Sequence, residues 1–230
     1  MNKYLEEVIR QRISRTAEAL EKNNMQTFIV NSAADAAETV CKLLERGSTI
    51  GAGGSVTLDQ CGIIKLIRSP EYSFIDRYEA GISREETMRR HIAALSADVY
   101  ITGTNAVTED GMLYNVDGNG NRIAAIAFGP KSVIVIAGYN KIVKNIGEAV
   151  RRVRTIAAPA NCKRLACKTF CSEIGECVTL SNKRTSLSDS SDIGQGCATD
   201  DRICCDFLIS AKQRTKNRIK VILVCEELGY

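Results

Sequence analysis

A glycine-rich turn is the first segment whose residues could bind a ligand. It runs GAGGSVT over residues 51–57 and follows a short apolar segment that predicts a β-strand. Glycines let the backbone turn sharply and approach a ligand closely, and free amides at the start of the next helix attract anions. We therefore predict that a phosphate or carboxylate binds at Gly53, Gly54, Ser55 and Thr57. The segment lacks the Lys-Ser/Thr ending of a P-loop, and an ordinary strand-to-helix turn with an N-cap serine is the alternative interpretation.

A polar loop over residues 102–121 is the second such segment. It places amides and carboxylates among four glycines, directly after another apolar segment. Ligands of open α/β sheets bind at the carboxyl ends of strands, so we expect this loop and the glycine-rich turn to meet at one cleft. The candidate binding residues are Thr104, Asn105, Asn115, Gly118 and Asn121. Glu109 and Asp117 are the candidate catalytic carboxylates, acting as acid, base or nucleophile.

A β-hairpin is the alternative interpretation of the same loop. Asp110-Gly111, flanked by NAVTE and MLYNV, is typical of a type I′ hairpin turn. The side chains of such turn residues bond their own backbone, and Glu109 is then a solvated turn carboxylate. Asn115 and Asp117 fit the hairpin less well, because they stand at the end of the second strand and before a further glycine-rich turn.

Cysteines crowd into the C-terminal part of the chain, where seven of the ten lie between Cys162 and Cys205. Intervals of five, nineteen and six residues separate Cys171, Cys177, Cys197 and Cys204. Four thiolates can complete a tetrahedral zinc site or ligate an iron–sulfur cluster. The intervals differ from those of compact CxxC pairs, so free or buried thiols are the alternative interpretation.

The composition excludes several classes of protein. With 44% hydrophobic residues among 230, the chain can bury a proper core, which excludes general disorder. Basic residues alternate with acidic ones and the net charge is only +4, which argues against nucleic-acid binding. No apolar run is long enough for a membrane span, and residues 1–24 have helical spacing unlike a signal peptide, so we expect a cytoplasmic protein. The single histidine, His91, cannot build a His-rich zinc centre, and we predict a surface or half-buried position on a helix.

Strands alternate with helices along most of the sequence. This order predicts an α/β fold of three layers, with a mostly parallel sheet covered by helices on both faces. The SVIVIAG segment over residues 132–138 is typical of a strand buried on both faces. We also predict one helix over residues 57–67 and another over residues 146–156 that ends before Pro159.

The chain is predicted to form a single domain. An N-terminal helix over residues 1–24 precedes an α/β core over residues 25–160. A Cys-rich and Ser-rich excursion over residues 161–210 follows, and a terminal strand over residues 218–228 returns to the core. Within the excursion, the polar and serine-rich residues 178–196 predict a mobile loop.

Several motifs resemble the lactate-utilisation (LUD, LutC-like) domain family. They stand in the family's order as GAGGSVTLDQCGI, IDRY, NAVTEDG, VDGNGNR, IAAPAN and DRIC, within a resemblance from about residue 5 to 209. The resemblance implies a fold of the NagB/RpiA/CoA-transferase-like type. It also implies a ligand site on the glycine-rich turn and the polar loop, and a cysteine site on Cys171, Cys177, Cys197 and Cys204. The sequence departs from the family pattern at Phe170, where a proline commonly stands, and in the longer stretch between Cys177 and Cys197.

The expected function follows from this resemblance. Operon-type members of the family take part in oxidising L-lactate to pyruvate together with iron–sulfur partner proteins. The leading hypothesis is therefore a LutC-like protein that binds a small anionic ligand, a carboxylate or a phosphate, and acts with such partners. A metal-binding or iron–sulfur redox module at the C-terminal cysteines is one alternative. A CoA-transferase-like or sugar-phosphate-binding enzyme is another, which rests on fold analogy alone. Catalytic activity and homo-oligomerisation are left open by the sequence.

Overall fold

The computed structural model describes residues 2–181 and 193–230. Ten strands form two sheets. They are β1 (Gln26–Val30), β2 (Thr49–Ala52), β3 (Ser73–Phe74), β4 (Val99–Gly103), β5 (Ala106–Thr108), β6 (Leu113–Asp117), β7 (Ser132–Gly138), β8 (Ile142–Val143), β9 (Asp206–Ser210) and β10 (Ile219–Val224).

The helices alternate with these strands. They are α1 (Lys3–Lys22), α2 (Ala33–Leu43), α3 (Val56–Gln60), α4 (Ile63–Ile67), α5 (Arg84–Ala94), α6 (Asn121–Ala127), α7 (Ile146–Arg152), α8 (Ala158–Arg164), α9 (Phe170–Ile174) and α10 (Val178–Ser181). A 3₁₀ turn spans Tyr139–Lys141, and a π-helical segment over Val153–Ala157 joins α7 to α8.

The larger sheet has six strands in the order β1-β10-β7-β4-β2-β3, and every neighbouring pair is parallel. Side chains of its central strand β7 alternate between two cores. Val133 and Val135 pack with α1, α5 and α6 on one face, and Ile134 and Ile136 pack with α2, α3 and α4 on the other. The predicted α/β fold with helices on both faces of a parallel sheet is therefore confirmed.

The smaller sheet was not predicted from the sequence. Its order is β8-β5-β6-β9, and β9 pairs antiparallel with β6 along that strand's whole length. A third core lies between this sheet and the helices α7 and α8. Because β9 belongs to the predicted Cys-rich excursion, the excursion packs beside the polar loop.

The predicted hairpin forms as β5 and β6, but the expectation of a type I′ turn is wrong. Such a turn requires a positive φ at both central residues. Gly111 has a φ of 84°, whereas Asp110 is not among the described non-glycine residues with positive φ. The amide of Gly111 instead donates to the carbonyl of Thr108 at 2.9 Å, and the amide of Thr108 donates to the carbonyl of Met112 at 2.9 Å, so the loop has three residues and ends on Gly111.

Two predicted helices have different bounds in the structure. The helix expected over residues 57–67 is divided into α3 and α4, because Gly62 between them has a left-handed φ of 67°. The helix expected to stop before Pro159 continues through the π-helical segment into α8. Pro159 therefore lies within a continuous helical path, two residues after the π-helical segment ends at Ala157.

No helix in the described ranges is long and apolar enough to cross a membrane. Of the loop predicted over residues 178–196, residues 178–181 form the short helix α10. Residues 182–192, the greater part of that loop, lie outside the described residues.

Candidate functional site

A cleft of about 280 Å³ opens where the carboxyl ends of β2, β4 and β7 meet the end of β6. The glycine-rich turn forms one side of the cleft and the polar loop forms the other. Both Ser55 and Asp117 line it, although 62 positions separate them in the chain. The strand ends of the two sheets therefore bring together the two segments that the sequence singled out.

Most of the sequence-predicted binding residues lie at this cleft. Those that line it are Gly54, Ser55, Thr57, Thr104, Asn105, Asp117, Gly118 and Asn121. Gly53 and Asn115 lie behind the lining residues. The positions of these residues are thus established, and their functional roles stay predictions.

Close approach explains the two glycines of the turn. A Cβ on Gly53 would stand 2.6 Å from Oγ1 of Thr102, and a Cβ on Gly54 would stand 2.5 Å from Nη2 of Arg77. The helix that follows, α3, is only five residues long, and Ser55 makes no capping hydrogen bond to it. A helix dipole is therefore a weak source of anion affinity here, and charged side chains must supply it.

Arg77 is a cleft residue that the sequence did not single out. It follows β3, and its guanidinium lies over the ring of Tyr78 with its carbon 4.6 Å from the ring centroid. Its Nη2 donates to the Tyr78 hydroxyl at 3.1 Å, and that hydroxyl donates to the carbonyl of Gly53 at 3.0 Å. Its Nε is buried and has no hydrogen-bond partner among the described residues, while the guanidinium as a whole lines the cleft.

Arg122, at the start of α6, is held by neutral acceptors. Its Nη1 donates to Oδ1 of Asn115 at 2.6 Å, and its Nη2 donates to Oδ1 of Asn105 at 2.9 Å and to the carbonyl of Val116 at 2.6 Å. Burial is the main cause that lowers the pKa of Arg122. The two asparagines predicted as ligand contacts thus also fix this guanidinium beside the cleft.

Asp117 is the one acidic side chain among the described cleft-lining residues. Its Oδ2 accepts from the amides of Arg122 at 2.8 Å and Ile123 at 3.3 Å, and its Oδ1 accepts from the amide of Gly118 at 3.0 Å. These bonds hold the first turn of α6. Asp117 is therefore engaged by backbone donors, which gives the carboxylate a clear structural role.

Lys141 and Arg152 add buried positive charge that the sequence did not reveal. Lys141 is 4% exposed, lines the cleft and donates from Nζ to Oγ1 of Thr57 at 2.9 Å. Arg152 donates to the carbonyls of Asn140 at 3.1 Å and Asn105 at 2.7 Å. Burial lowers the pKa of Lys141 to about 7 and the pKa of Arg152 to about 10.

The balance of charge at the cleft favours an anion. Three arginines, Arg77, Arg122 and Arg164, line it together with Lys141, against one acidic side chain, that of Asp117. None of the four forms an ion pair within the part of the chain that the structure describes. Arg164 is exposed, but Arg77, Arg122 and Lys141 are at least partly buried. Buried positive charge without a counter-ion is costly, and a bound anion would relieve that cost. Nδ2 of Asn115 is also buried and lacks a partner.

Glu109 and His91 lie outside the cleft lining. The carboxylate of Glu109 pairs with Nε of Arg12 on α1 at 2.7 Å, so the structure does not bring this candidate catalytic residue to the other site residues. His91 is a partly buried residue of α5, and its Nδ1 lies 2.9 Å from Nδ2 of Asn121. Burial lowers the pKa of His91, which suits a neutral ring that accepts from the amide.

A second, smaller cavity of about 30 Å³ collects the cysteines. The four predicted metal ligands, Cys171, Cys177, Cys197 and Cys204, all line it together with Cys162. The Cys162 and Cys171 Sγ atoms lie 3.6 Å apart. Two thiolates on one zinc ion stand at about that separation, since each Zn–S bond is about 2.3 Å.

Thiols are suitable donors for a soft metal ion, but these thiols are not arranged to ligate one in this structure. Among the described residues, no three His, Cys, Asp or Glu side chains are already placed to hold a metal. Burial raises the pKa of both Cys162 and Cys204 to about 12, so these groups are neutral thiols without a metal. Metal binding would have to deprotonate the thiols and draw them together.

Comparison with known proteins bears on the family of the chain. The model of the LUD domain matches residues 13–224, which is most of the sequence. The chain belongs to the LUD domain family. This LUD chain is also similar to a crystal structure of a DUF162 family protein from Deinococcus radiodurans, with 16% identity and a TM-score of 0.48 over 94% of this chain and 98% of that chain. No curated protein matches it. The family resemblance read from the motifs is confirmed.

Proposed function

We propose that this LUD protein binds a small anionic metabolite, a carboxylate or a phosphate, in the cleft between the glycine-rich turn and the polar loop. The observation that supports this proposal most is that three arginines and Lys141 line the cleft with one acidic side chain, and that none of these four basic residues forms an ion pair in the described ranges. Family membership supports a role related to lactate utilisation.

Isothermal titration calorimetry with L-lactate, pyruvate, inorganic phosphate and a sugar phosphate tests the proposal. Removing one charge-assisted contact by Arg77→Gln should weaken binding about 10- to 100-fold, because such a bond contributes roughly 1.5–3 kcal/mol. Arg46→Gln is the matched control, since Arg46 is 84% exposed and pairs with Glu71 away from the cleft. Equal affinity in both variants, or no binding of any of the four anions, would refute the proposal.

The redox role is the finer part of the proposal. Oxidation of L-lactate to pyruvate releases two electrons, and the family resemblance assigns their acceptance to iron–sulfur partner proteins. We infer that this chain supplies the anion-binding cleft of such an assembly. Lactate oxidation that depends on both the chain and a co-purified iron–sulfur protein would support this role. Unchanged lactate growth in a strain lacking the chain would count against it.

A metal-binding role for the cysteine cavity is a second candidate function. The observation that favours it is the convergence of five thiols on one small cavity, from α8, α9, the connection between α9 and α10, and the segment before β9. Zinc or an iron–sulfur cluster would be held there by thiolates, with Cys162 as a further candidate ligand beside the predicted four. The metal would supply either structural cross-linking or electron transfer.

Elemental analysis of anaerobically purified protein tests this second function. Cys204→Ser should remove stoichiometric zinc or iron, whereas Cys205→Ser should not, because Cys204 lines the cavity and the adjacent Cys205 is exposed and does not. Equal metal content in the two variants, or no zinc and no iron in the wild type, would eliminate the metal site.

The geometry gives less support to a CoA-transferase-like reaction. A carboxylate nucleophile needs a free carboxylate at the bound substrate. Glu109 is paired with Arg12, and Asp117 accepts three backbone hydrogen bonds. The catalytic roles of these two residues therefore remain predictions. The calorimetry described above tests binding and does not depend on them.

A further inference from the structure

Lys141 is a buried amine at the cleft that anion binding alone does not explain. It ends the 3₁₀ turn after β7, at the carboxyl edge of the parallel sheet. Its Nζ donates one hydrogen bond to Oγ1 of Thr57 at 2.9 Å, and that hydroxyl donates weakly to the carbonyl of Leu228 at 3.4 Å. One N–H is thus anchored, and the amine is held at a fixed place among the cleft residues.

The groups around Lys141 favour its neutral form. Burial is the largest cause of its lowered pKa, and the guanidinium groups of Arg152 and Arg122 act in the same direction. The thiol of Cys61 is the one titratable group that opposes them. That thiol is itself buried, with its pKa raised to about 11, so it is uncharged near neutral pH and gives the amine no counter-ion.

A neutral amine in a cleft is a nucleophile. With a pKa of about 7, about half of the Lys141 side chains are unprotonated at neutral pH. For an ordinary lysine the unprotonated fraction is about 1 in 10³, because its pKa is near 10.4. Desolvated lysines of this kind attack carbonyl carbon atoms in enzymes that form imines.

The cleft also supplies what a carbonyl substrate with a negative charge requires. The guanidinium groups of Arg77 and Arg122 line the same cleft as Lys141, and Asn105 and Asn115 hold that of Arg122 in place. A carboxylate held by these groups would leave a neighbouring carbonyl carbon within the same cleft as Lys141.

We propose that Lys141 forms an imine with an anionic carbonyl compound of the 2-oxo acid class bound in this cleft. The nitrogen lone pair attacks the carbonyl carbon, the C–N double bond forms, and the carbonyl oxygen leaves as water with the two hydrogens of the amine. The step needs no oxidant or reductant. It rests on the proposed anion site, because that site must first hold the carboxylate.

Borohydride trapping tests the imine directly. Protein is incubated with pyruvate and sodium borohydride near pH 7, digested, and mapped by mass spectrometry. A reduced pyruvyl adduct is expected on Lys141, at least about tenfold above the level on exposed lysines, because of the difference in neutral amine. L-Lactate, which has the carboxylate but no carbonyl, should give no adduct.

Lys144→Met is the matched control for Lys141→Met. Lys144 lies three positions further along the chain and is exposed. The adduct should persist in Lys144→Met and disappear in Lys141→Met. Mapping of the wild type decides the matter alone, so a variant that fails to fold does not compromise the test. No adduct, or labelling spread evenly over exposed lysines, would overturn the proposal.

Calorimetry on the same samples separates this inference from the proposed function. Pyruvate that binds the wild type without any adduct on Lys141 would overturn the imine and leave the anion site standing. Failure of every tested anion to bind would instead overturn the anion site, and the imine with it.

Discussion

Single side chains give the cleft its chemistry, and neutral partners hold them in place. Arg122 is fixed by amide and carbonyl oxygens, Arg77 by the ring and hydroxyl of Tyr78, and Lys141 by the hydroxyl of Thr57. Neutral acceptors orient a cation without cancelling its charge. The two guanidinium groups therefore keep their positive charge beside the cleft.

A larger side chain at Gly53 should destabilise the turn. In Gly53→Ala the new Cβ would stand 2.6 Å from Oγ1 of Thr102 and 3.0 Å from Cδ of Arg122, so the turn must shift. We expect a loss of about 1–3 kcal/mol in the free energy of unfolding, measured by urea denaturation. Gly194→Ala is the control, since no atom of the described residues lies within 4 Å of its added Cβ. Equal stability of the two variants would contradict the packing described here.

Burial of Lys141 should make stability depend on pH. Its pKa falls from 10.5 to about 7 on folding, so between these values the unfolded chain binds more protons than the folded protein. The contribution of Lys141 to stability then rises with pH across that window, by at most about 1.4 kcal/mol per pH unit. The free energy of unfolding of Lys141→Met should exceed that of the wild type most near pH 7, and this difference should shrink toward pH 10. Parallel stability curves for the two proteins would show that Lys141 titrates normally.

Helices and strands place these side chains. Elements formed by local interactions could be predicted from the sequence, whereas elements formed by contacts with distant residues could not. The strand β7 was predictable because it is continuously apolar, and the hairpin because its turn residues are local. The two-residue strand β8 and the strand β9 were not, since each exists only through pairing with distant residues of the smaller sheet. The π-helical path past Pro159 likewise depends on packing in the third core.

The break between α3 and α4 gives a prediction at this scale. Gly62 has a φ of 67° and nothing within 4 Å of an added Cβ, so backbone strain alone opposes a side chain there. Gly62→Ala should lower the urea midpoint, with a cost of about 1–2 kcal/mol. Gly62→Asn should cost less, because asparagine tolerates the left-handed region. A Gly62→Ala variant as stable as the wild type would mean that the two helices can merge.

Over the whole molecule, the site is the place where two sheets meet. The sequence predicted the meeting of the glycine-rich turn and the polar loop, because strand ends of a parallel sheet share one edge. It did not predict the positive charges of Arg77, Lys141 and Arg152: Arg77 stands in the IDRY motif, which by itself assigns it no role, and the other two stand in unremarkable local sequence. Only the tertiary fold collects them, and no local pattern marks a lysine that becomes buried beside two arginines. The cysteines show the same limit, because Cys162 joins the predicted four through the packing of α8 against α9.

A crystal structure of the protein grown with saturating pyruvate is the most direct test of the anion site. We expect one anion between Ser55 and Asp117, with a carboxylate oxygen within hydrogen-bonding distance of the guanidinium of Arg77 or Arg122. A structure in which pyruvate binds elsewhere, or in which the cleft holds only water at that concentration, would contradict it.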